Sequence, residues 1–415
     1  MDPTNTKIKN ISIQQHGAMD GIEPPCDLNA VRMYRLDRVR NELSRCNLAG
    51  IVLFDQLNTR YATDITNMQL WCLHNENRYV WVPVQGPVII FEYDAQKHLS
   101  RNIPTVDEVR PALPFYYFAA GSRQCEKAKL WAKEIAELVK ATGGKNNRIA
   151  LDRAGPLAVF ALQAENIEIV DGFSIMETAR EIKSDGEIAL MKKSIEACEI
   201  GIAAMHKALL PGITENELWA KLHESNIALG GEWIETRLLS SGPRTNPWFQ
   251  ESSMRKIKKG DLVSFDTDLI GPYGYCCDIS RAWICDATKG TDEQRRLYSA
   301  AVEQIEHNKS IIKDGTTFRE IAEKAWPIPE EFFDNRYGCI LHGVGLCDEY
   351  PALPHLSDWE RSGNDGTIKE GMTICIESFI GAKDGHEGVK LEEQLLVTAE
   401  GFEQLSKYPF ENSLL

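Results

Sequence analysis

Residues 261–283 read DLVSFDTDLIGPYGYCCDISRAW. Both ends of this stretch are rich in apolar and β-branched residues. Gly271, Pro272 and Gly274 interrupt it where a chain must reverse, so the stretch is read as a β-hairpin. Three carboxylates lie inside it: Asp266, Asp268 and Asp278. Residues two apart in a strand project from one face, so the hairpin predicts that Asp266 and Asp268 share a face. A bare carboxylate in an apolar sheet is costly unless a cation neutralises it. The stretch suits a metal site or a hairpin with one polar, exposed face. The rest of the chain separates the two.

Downstream, three apolar segments carry the same oddity. CILHGVGL (339–346) holds His342 among glycines, and TICIESFI (373–380) holds Glu377 on an otherwise apolar strand. GVKLEEQLLVT (388–398) holds Glu392 and Glu393. A lone histidine in such a strand is usually a hydrogen-bonded core residue, but an unpaired buried carboxylate is rarely tolerated. Their convergence favours a metal.

Upstream, the chain repeats itself. ALLPGITENELWAKL (208–222) and SIIKDGTTFREIAEKA (310–325) each run from a long helix through Gly and Thr into a second helix. Each Thr opens a capping box, Thr214 with Glu217 and Thr317 with Glu320. The shared order predicts a duplicated helix–strand unit around a pseudo-twofold, with a central cleft. It occupies residues 181–415, with a first helix from about 185 to 210. Before it, residues 28–180 alternate helices and strands and form an α/β domain. A helix is expected over Leu28–Cys46, with Val31, Leu36, Val39 and Leu43 at helical spacing, and another over Cys125–Thr142. GIVLF (50–54), YVWVPV (79–84), PVIIFEY (87–93) and RIALD (148–152) read as strands. Residues 1–27 form a polar, irregular arm.

The composition narrows the function. A net charge of -15 argues against nucleic acid or an anionic membrane as partner. No apolar run reaches the length of a membrane span, and the start lacks the apolar core of a signal peptide. Eleven cysteines without a C-x-x-C pair read as reduced thiols of a cytoplasmic protein.

In chain order, Asp268, Asp278, His342, Glu377 and Glu392 resemble the metal set of the pita-bread fold shared by methionine aminopeptidase, aminopeptidase P and creatinase. The resemblance implies a creatinase-like N-terminal α/β domain and a pita-bread catalytic domain holding one or two ions. Oxygen-rich ligands with one imidazole suit iron, with manganese, cobalt and zinc as alternatives. The peptidases of that family need two further histidines. In this chain Trp248 stands at the first position, and Asp348 and Glu349 stand where H-E-x-P is expected.

These departures resemble one branch, the DddP-type dimethylsulfoniopropionate (DMSP) lyases, through TNMQLW (66–71), SGPRTNPWFQE (241–251) and HGVGLCDEYP (342–351). That resemblance adds Asp266 to the metal set and makes Asp348 the catalytic base, with Glu349 as competitor. It implies a carbon–sulfur lyase that cleaves DMSP to dimethyl sulfide and acrylate, acting as a homodimer. A sulfonium is held by aromatic faces. Trp71, Tyr337 and Trp248 are the aromatics expected around it, and Tyr337 is also placed beside the base. Two other functions stay open on the residues. One is an Xaa-Pro dipeptidase or creatinase-like hydrolase in which His355 or His386 takes the missing place. The other is a pita-bread module that binds without catalysis.

Overall fold

The computed structural model describes residues 19, 22–93, 96–100 and 103–415. Most of the arm expected over residues 1–27 lies outside them. The chain divides into one unit holding Asn29–Ala179 and another holding Arg180–Leu415.

In the first unit the described residues form a six-stranded mixed sheet. From edge to edge its strands are Glu108–Pro111, Ile89–Glu92, Tyr79–Pro83, Gly50–Leu53, Arg148–Leu151 and Glu168–Asp171. The central strand Gly50–Leu53 is buried throughout, which explains its unbroken apolar sequence. Helix Gln124–Gly143 lays Ala128, Trp131, Ala132 and Ile135 against this core. The helix expected at residue 28 runs over Leu28–Arg45, and Val31, Leu36, Val39 and Leu43 are buried as the spacing predicts. The two edge strands are short and partly exposed, so no apolar run marked them.

In the second unit the repeat is visible bond by bond. Helices Asp185–Ala208 and Glu215–Ala228 form the first pair, Asp292–Ser310 and Phe318–Lys324 the second. Thr214 and Thr317 both complete their capping boxes. Before each cap the chain clasps a later segment in the same way. Gly212 N–H donates to the Ile257 carbonyl, and Ile257 N–H to that of Ile213. In the second copy Gly315 donates to Ile368, and Ile368 to Thr316. A left-handed glycine follows each clasp, Gly260 at φ +83° and Gly371 at φ +86°. Six residues beyond these glycines stand Asp266 and Glu377. The duplication therefore places one carboxylate from each half at the same distance beyond its glycine.

The 261–283 hairpin forms, but its ladder is open in the middle. Leu262–Phe265 pairs with Arg281–Ile284, and Leu269–Ile270 with Cys276–Cys277. The pairings Phe265↔Arg281 and Leu269↔Cys277 keep one register across the gap. The Thr267 hydroxyl replaces the missing rungs by donating to the Cys277 carbonyl at 2.9 Å and accepting from Ile279 N–H at 2.9 Å. Asp268 adopts φ +36°. The regular ladder behind the expected alternation is absent there, yet Asp266 and Asp268 still bring their carboxylates together, with Asp278 beside them. The second half keeps a continuous five-stranded sheet, in which Glu377 lies opposite Glu392.

Candidate metal centre

The open hairpin and the continuous sheet bring the predicted ligands together. Donor atoms lie within 4.8 Å of one another in three groups: Asp278, His342, Cys375 and Glu392; Asp266, Asp268 and Asp278; and Asp266, Glu377 and Glu392. Asp278 and Glu392 link the groups into one site. Asp268 is held by the Thr236 hydroxyl at 2.7 Å, and its N–H donates to Asp278 Oδ1 at 3.2 Å. The Ser280 hydroxyl lies 2.7 Å from Asp266 Oδ1 and 3.0 Å from Glu392 Oε2. Glu393, the neighbour of Glu392, projects to the other side and pairs with Arg281 at 2.9 Å.

His342 is oriented by its own backbone. Nδ1 lies 3.0 Å from the Gly343 carbonyl, and Nε2 faces Glu377 at 3.2 Å, Glu392 at 3.6 Å and Asp278 at 3.7 Å. A proton kept on Nδ1 leaves the Nε2 lone pair for a metal, the usual arrangement of a ligating histidine. Gly343 and Gly345 permit the close return of the chain. A Cβ on Gly343 would sit 2.5 Å from the Tyr350 carbonyl oxygen, and one on Gly345 2.3 Å from Glu349 Oε2.

The electrostatics mark the site as short of positive charge. Burial and mutual repulsion push Asp268 and Asp278 well above the usual carboxylate range, and Asp266 upward as well. Burial and Glu392 raise Glu377 to about 7. Burial opposes a charge on His342, but Asp348, Glu377 and Glu392 outweigh it and push its pKa well up. Glu392 Oε1 is buried, with His342 Nε2 at 3.6 Å and no shorter hydrogen bond. A buried carboxylate oxygen so loosely held among repelling acids fits a bound cation. The residues present therefore fit a metal of the oxygen- and imidazole-loving kind.

Two members escaped the sequence reading. Lys390 is fully buried, and its ammonium contacts Glu377 Oε2 at 2.6 Å, Asp266 Oδ2 at 2.9 Å and Glu392 Oε2 at 3.3 Å. Its signal was present, because it lies two residues before Glu392 and so on the same strand face. Cys375 shares a face with Glu377 by the same rule. Burial, Glu392 and Asp278 push its thiol far up, so it stays a thiol, with Sγ donating to the Asp278 carbonyl at 3.7 Å.

Asp348 and Glu349 stand in opposite circumstances. Asp348 opens the strand Asp348–Leu353, its side chain 55% exposed and Oδ1 3.7 Å from His342 Nδ1. Desolvation and Glu392 raise its pKa, against the pull of His342 and Lys390. Glu349 is buried between Arg180 at 3.0 Å and Lys183 at 2.9 Å, and accepts from Leu346 N–H. Burial works against its charge, but Lys183 and Arg180 outweigh it and hold its pKa low. Such a carboxylate is locked into the fold.

Tyr337 lies with its ring 4.6 Å from Lys390 Nζ. Burial and Glu377 keep its phenol protonated. Trp248 is buried, its ring 5.9 Å from that of Phe379. Trp71 belongs to the first unit, in helix Gln69–His74, with its ring 5.5 Å from Tyr93. His355 is buried and pushed down to about 4 by desolvation and Arg336, and His386 is exposed. Among the described residues neither joins the ligand groups.

Comparison with known proteins agrees with this geometry. The profile of metallopeptidase family M24 matches residues 189–399, and the creatinase/prolidase N-terminal domain matches residues 35–182. The dimethylsulfoniopropionate lyase DddP of Roseovarius nubinhibens is 41% identical over 395 residues, 94% of this chain and 88% of that protein. DddP of Roseobacter denitrificans is 38% identical over 394 residues, again 94% and 88% of the two chains. The chain belongs to the DddP branch of family M24. Among solved structures, the Xaa-Pro dipeptidase from Bacillus anthracis shares the fold of this DddP-branch chain. It has a TM-score of 0.73 and 22% identity, with 92% of this chain and 99% of that one covered. Prolidase from Pyrococcus horikoshii gives 0.69 and 19%, with 91% and 99% covered. Membership brings the chain into a metal-enzyme family, and among the described residues no helix is long and apolar enough to cross a membrane.

Proposed function

We propose that this chain is a metal-dependent carbon–sulfur lyase that cleaves DMSP to dimethyl sulfide and acrylate. The observation that carries the reading is Asp348, an exposed carboxylate 3.7 Å from the metal-site histidine, in a chain 41% identical to a DddP lyase. Asp266, Asp268, Asp278, His342, Glu377 and Glu392 would hold the metal. When bound, it would supply Lewis-acid stabilisation of charge on the substrate carboxylate.

The remaining work falls to side chains. Asp348 accepts the proton from the carbon beside the substrate carboxylate, a role that needs a base off the metal and within reach of that carbon. The C–H electron pair becomes the acrylate double bond. The C–S pair leaves with sulfur, so dimethyl sulfide departs neutral. Exposure of Asp348 lets it return the proton to water. Tyr337, held as a phenol, has a proton to donate to the substrate carboxylate. Trp71, Tyr337 and Trp248 are assigned to the sulfonium, which aromatic faces attract by about 0.5–2 kcal/mol each. Glu349 is set aside as base because its charge is already committed to Arg180 and Lys183.

The finer assignments belong to the same proposal: iron as the metal, one or two ions per subunit, a cytoplasmic homodimer, and a catalytic domain beginning near residue 181. None of the eleven cysteines is in a disulfide, which suits a reducing compartment. The test is headspace gas chromatography for dimethyl sulfide with purified protein, repeated after chelation and beside a panel of Xaa-Pro dipeptides. Volatile sulfide that disappears on chelation is expected. Release of proline without sulfide would move the chain to the hydrolases, and protein devoid of metal would favour a binding module.

A further inference from the structure

Lys390 enters the metal centre from the strand Val389–Thr398 and is completely buried. An ammonium withdrawn from water needs partners for its charge, and this one has them. Nζ lies 2.6 Å from Glu377 Oε2, 2.9 Å from Asp266 Oδ2 and 3.3 Å from Glu392 Oε2, and it donates to the Ser280 hydroxyl at 2.6 Å. The Tyr337 ring stands 4.6 Å away. Four oxygens at these distances serve the charge as they would serve a bound cation.

The three carboxylates that Lys390 meets are Asp266, Glu377 and Glu392, the whole of one of the three donor groups. Each of the other groups has donors outside these ion pairs: Asp278, His342 and Cys375 in one, Asp268 and Asp278 in the other. The glutamates are divided between two sides. Glu377 and Glu392 turn Oε1 toward His342 Nε2, at 3.2 and 3.6 Å, and Oε2 toward Lys390. A carboxylate divided in this way bridges two centres, as carboxylates do between paired metal ions. At one of the two centres the cation is part of the chain.

Charge sets a limit as well. Metal binding keeps ligand carboxylates ionised. Asp266, Asp268, Asp278, Glu377 and Glu392 then carry five negative charges, of which the ammonium cancels one and two divalent ions the rest. A third ion would leave a buried site with surplus positive charge.

We propose that Lys390 is a resident cation that fills the Asp266–Glu377–Glu392 group, confines divalent ions to the other two groups and so sets how many ions the centre takes. The proposal rests on the metal dependence in the proposed function and is independent of the substrate. A cation fixed to the chain keeps one oxygen of each of these acids committed while ions come and go.

The test counts metal instead of product. Metal-free wild-type protein is loaded with excess Mn2+, passed through a desalting column and assayed for manganese per chain by plasma mass spectrometry. Lys390→Ala and Lys390→Arg are produced and kept in Mn2+ before the same column. Wild type should retain no more than two ions. Lys390→Ala, which removes the ammonium and leaves room, should retain one ion more than wild type, and Lys390→Arg should keep the wild-type number. Three ions in wild type overturn the proposal. So does a number in Lys390→Ala equal to or below that of wild type, or an additional ion in Lys390→Arg. A Lys390→Ala chain that fails to fold even in Mn2+ overturns it too, because an ion could not then replace the ammonium. DMSP turnover by wild type beside an unchanged count in Lys390→Ala would leave the lyase reading intact and remove this proposal alone, whereas a wild type that takes up no manganese would overturn the metal reading and this proposal with it.

Discussion

Two buried charge clusters in the same unit are balanced in different ways. Around Glu349 one carboxylate faces two cations, Arg180 and Lys183, and the group is satisfied by the chain alone. Around His342 stand Asp266, Asp268, Asp278, Glu377 and Glu392, with the exposed Asp348 at the rim, and the described residues in contact with them offer only Lys390 and the imidazole itself as cations. The first cluster shows what the fold does with a buried acid kept for stability. The second is left anionic, and the deficit falls on residues drawn from both halves of the repeat. A site assembled that way anticipates a charge from outside the chain.

Removing one acid from each cluster should have opposite effects. Asp348→Asn should lower DMSP turnover about 10²–10⁴-fold, the usual worth of a general base, with melting temperature and metal content near wild type. Near-normal turnover would end its assignment. Glu349→Gln should do the reverse, destabilising the fold by about 3–5 kcal/mol in chemical denaturation because two buried cations lose their partner. Comparable stability would mean that the triad is not structural.

Lys390→Met should separate chain charge from metal charge. In chelated protein the loss of the buried ammonium should cost about 3 kcal/mol, and added metal should recover most of it. Equal losses with and without metal would show that Lys390 and the ion do not share a task.

His355 gives a pH test far from the ligands. Its folded pKa of about 4 lies below the unfolded 6.5, so between these values the unfolded chain binds the extra proton. Stability should fall as pH drops from 6.5 to 4, by about 3 kcal/mol in total. His355→Gln should flatten that slope. Smallest of all, Trp71→Ala should raise KM by a few-fold, about 1 kcal/mol, with less effect on kcat. An unchanged KM removes it from the pocket.

Much of this was legible before any coordinates. Buried acids on apolar strands announced themselves by being out of place, and the two Thr caps exposed the repeat. What escaped were features that carry no unusual letter. Lys390 reads as an ordinary charged residue until its strand is known to be buried on both faces. Asp266 and Asp268 do meet, as their spacing predicts, but not on the continuous ladder it assumes, because Thr267 takes over the ladder's bonds between them. Trp248 is read from the position of a lost histidine, a signal that says nothing of its burial against Phe379.

The strand Leu341–Val344 carries His342. Its pairing with Asp348–Leu353 slips between His342 and Gly343, and from there Val344 faces Asp348 while Gly343 faces Glu349. Strand neighbours point to opposite sides, so a single residue gained or lost between Gly345 and Asp348 would exchange the two acids. Asp348 would then be clamped by Arg180 and Lys183, and Glu349 would meet the solvent. Which acid stands free beside His342 is thus encoded in the length of a short turn as much as in any side chain.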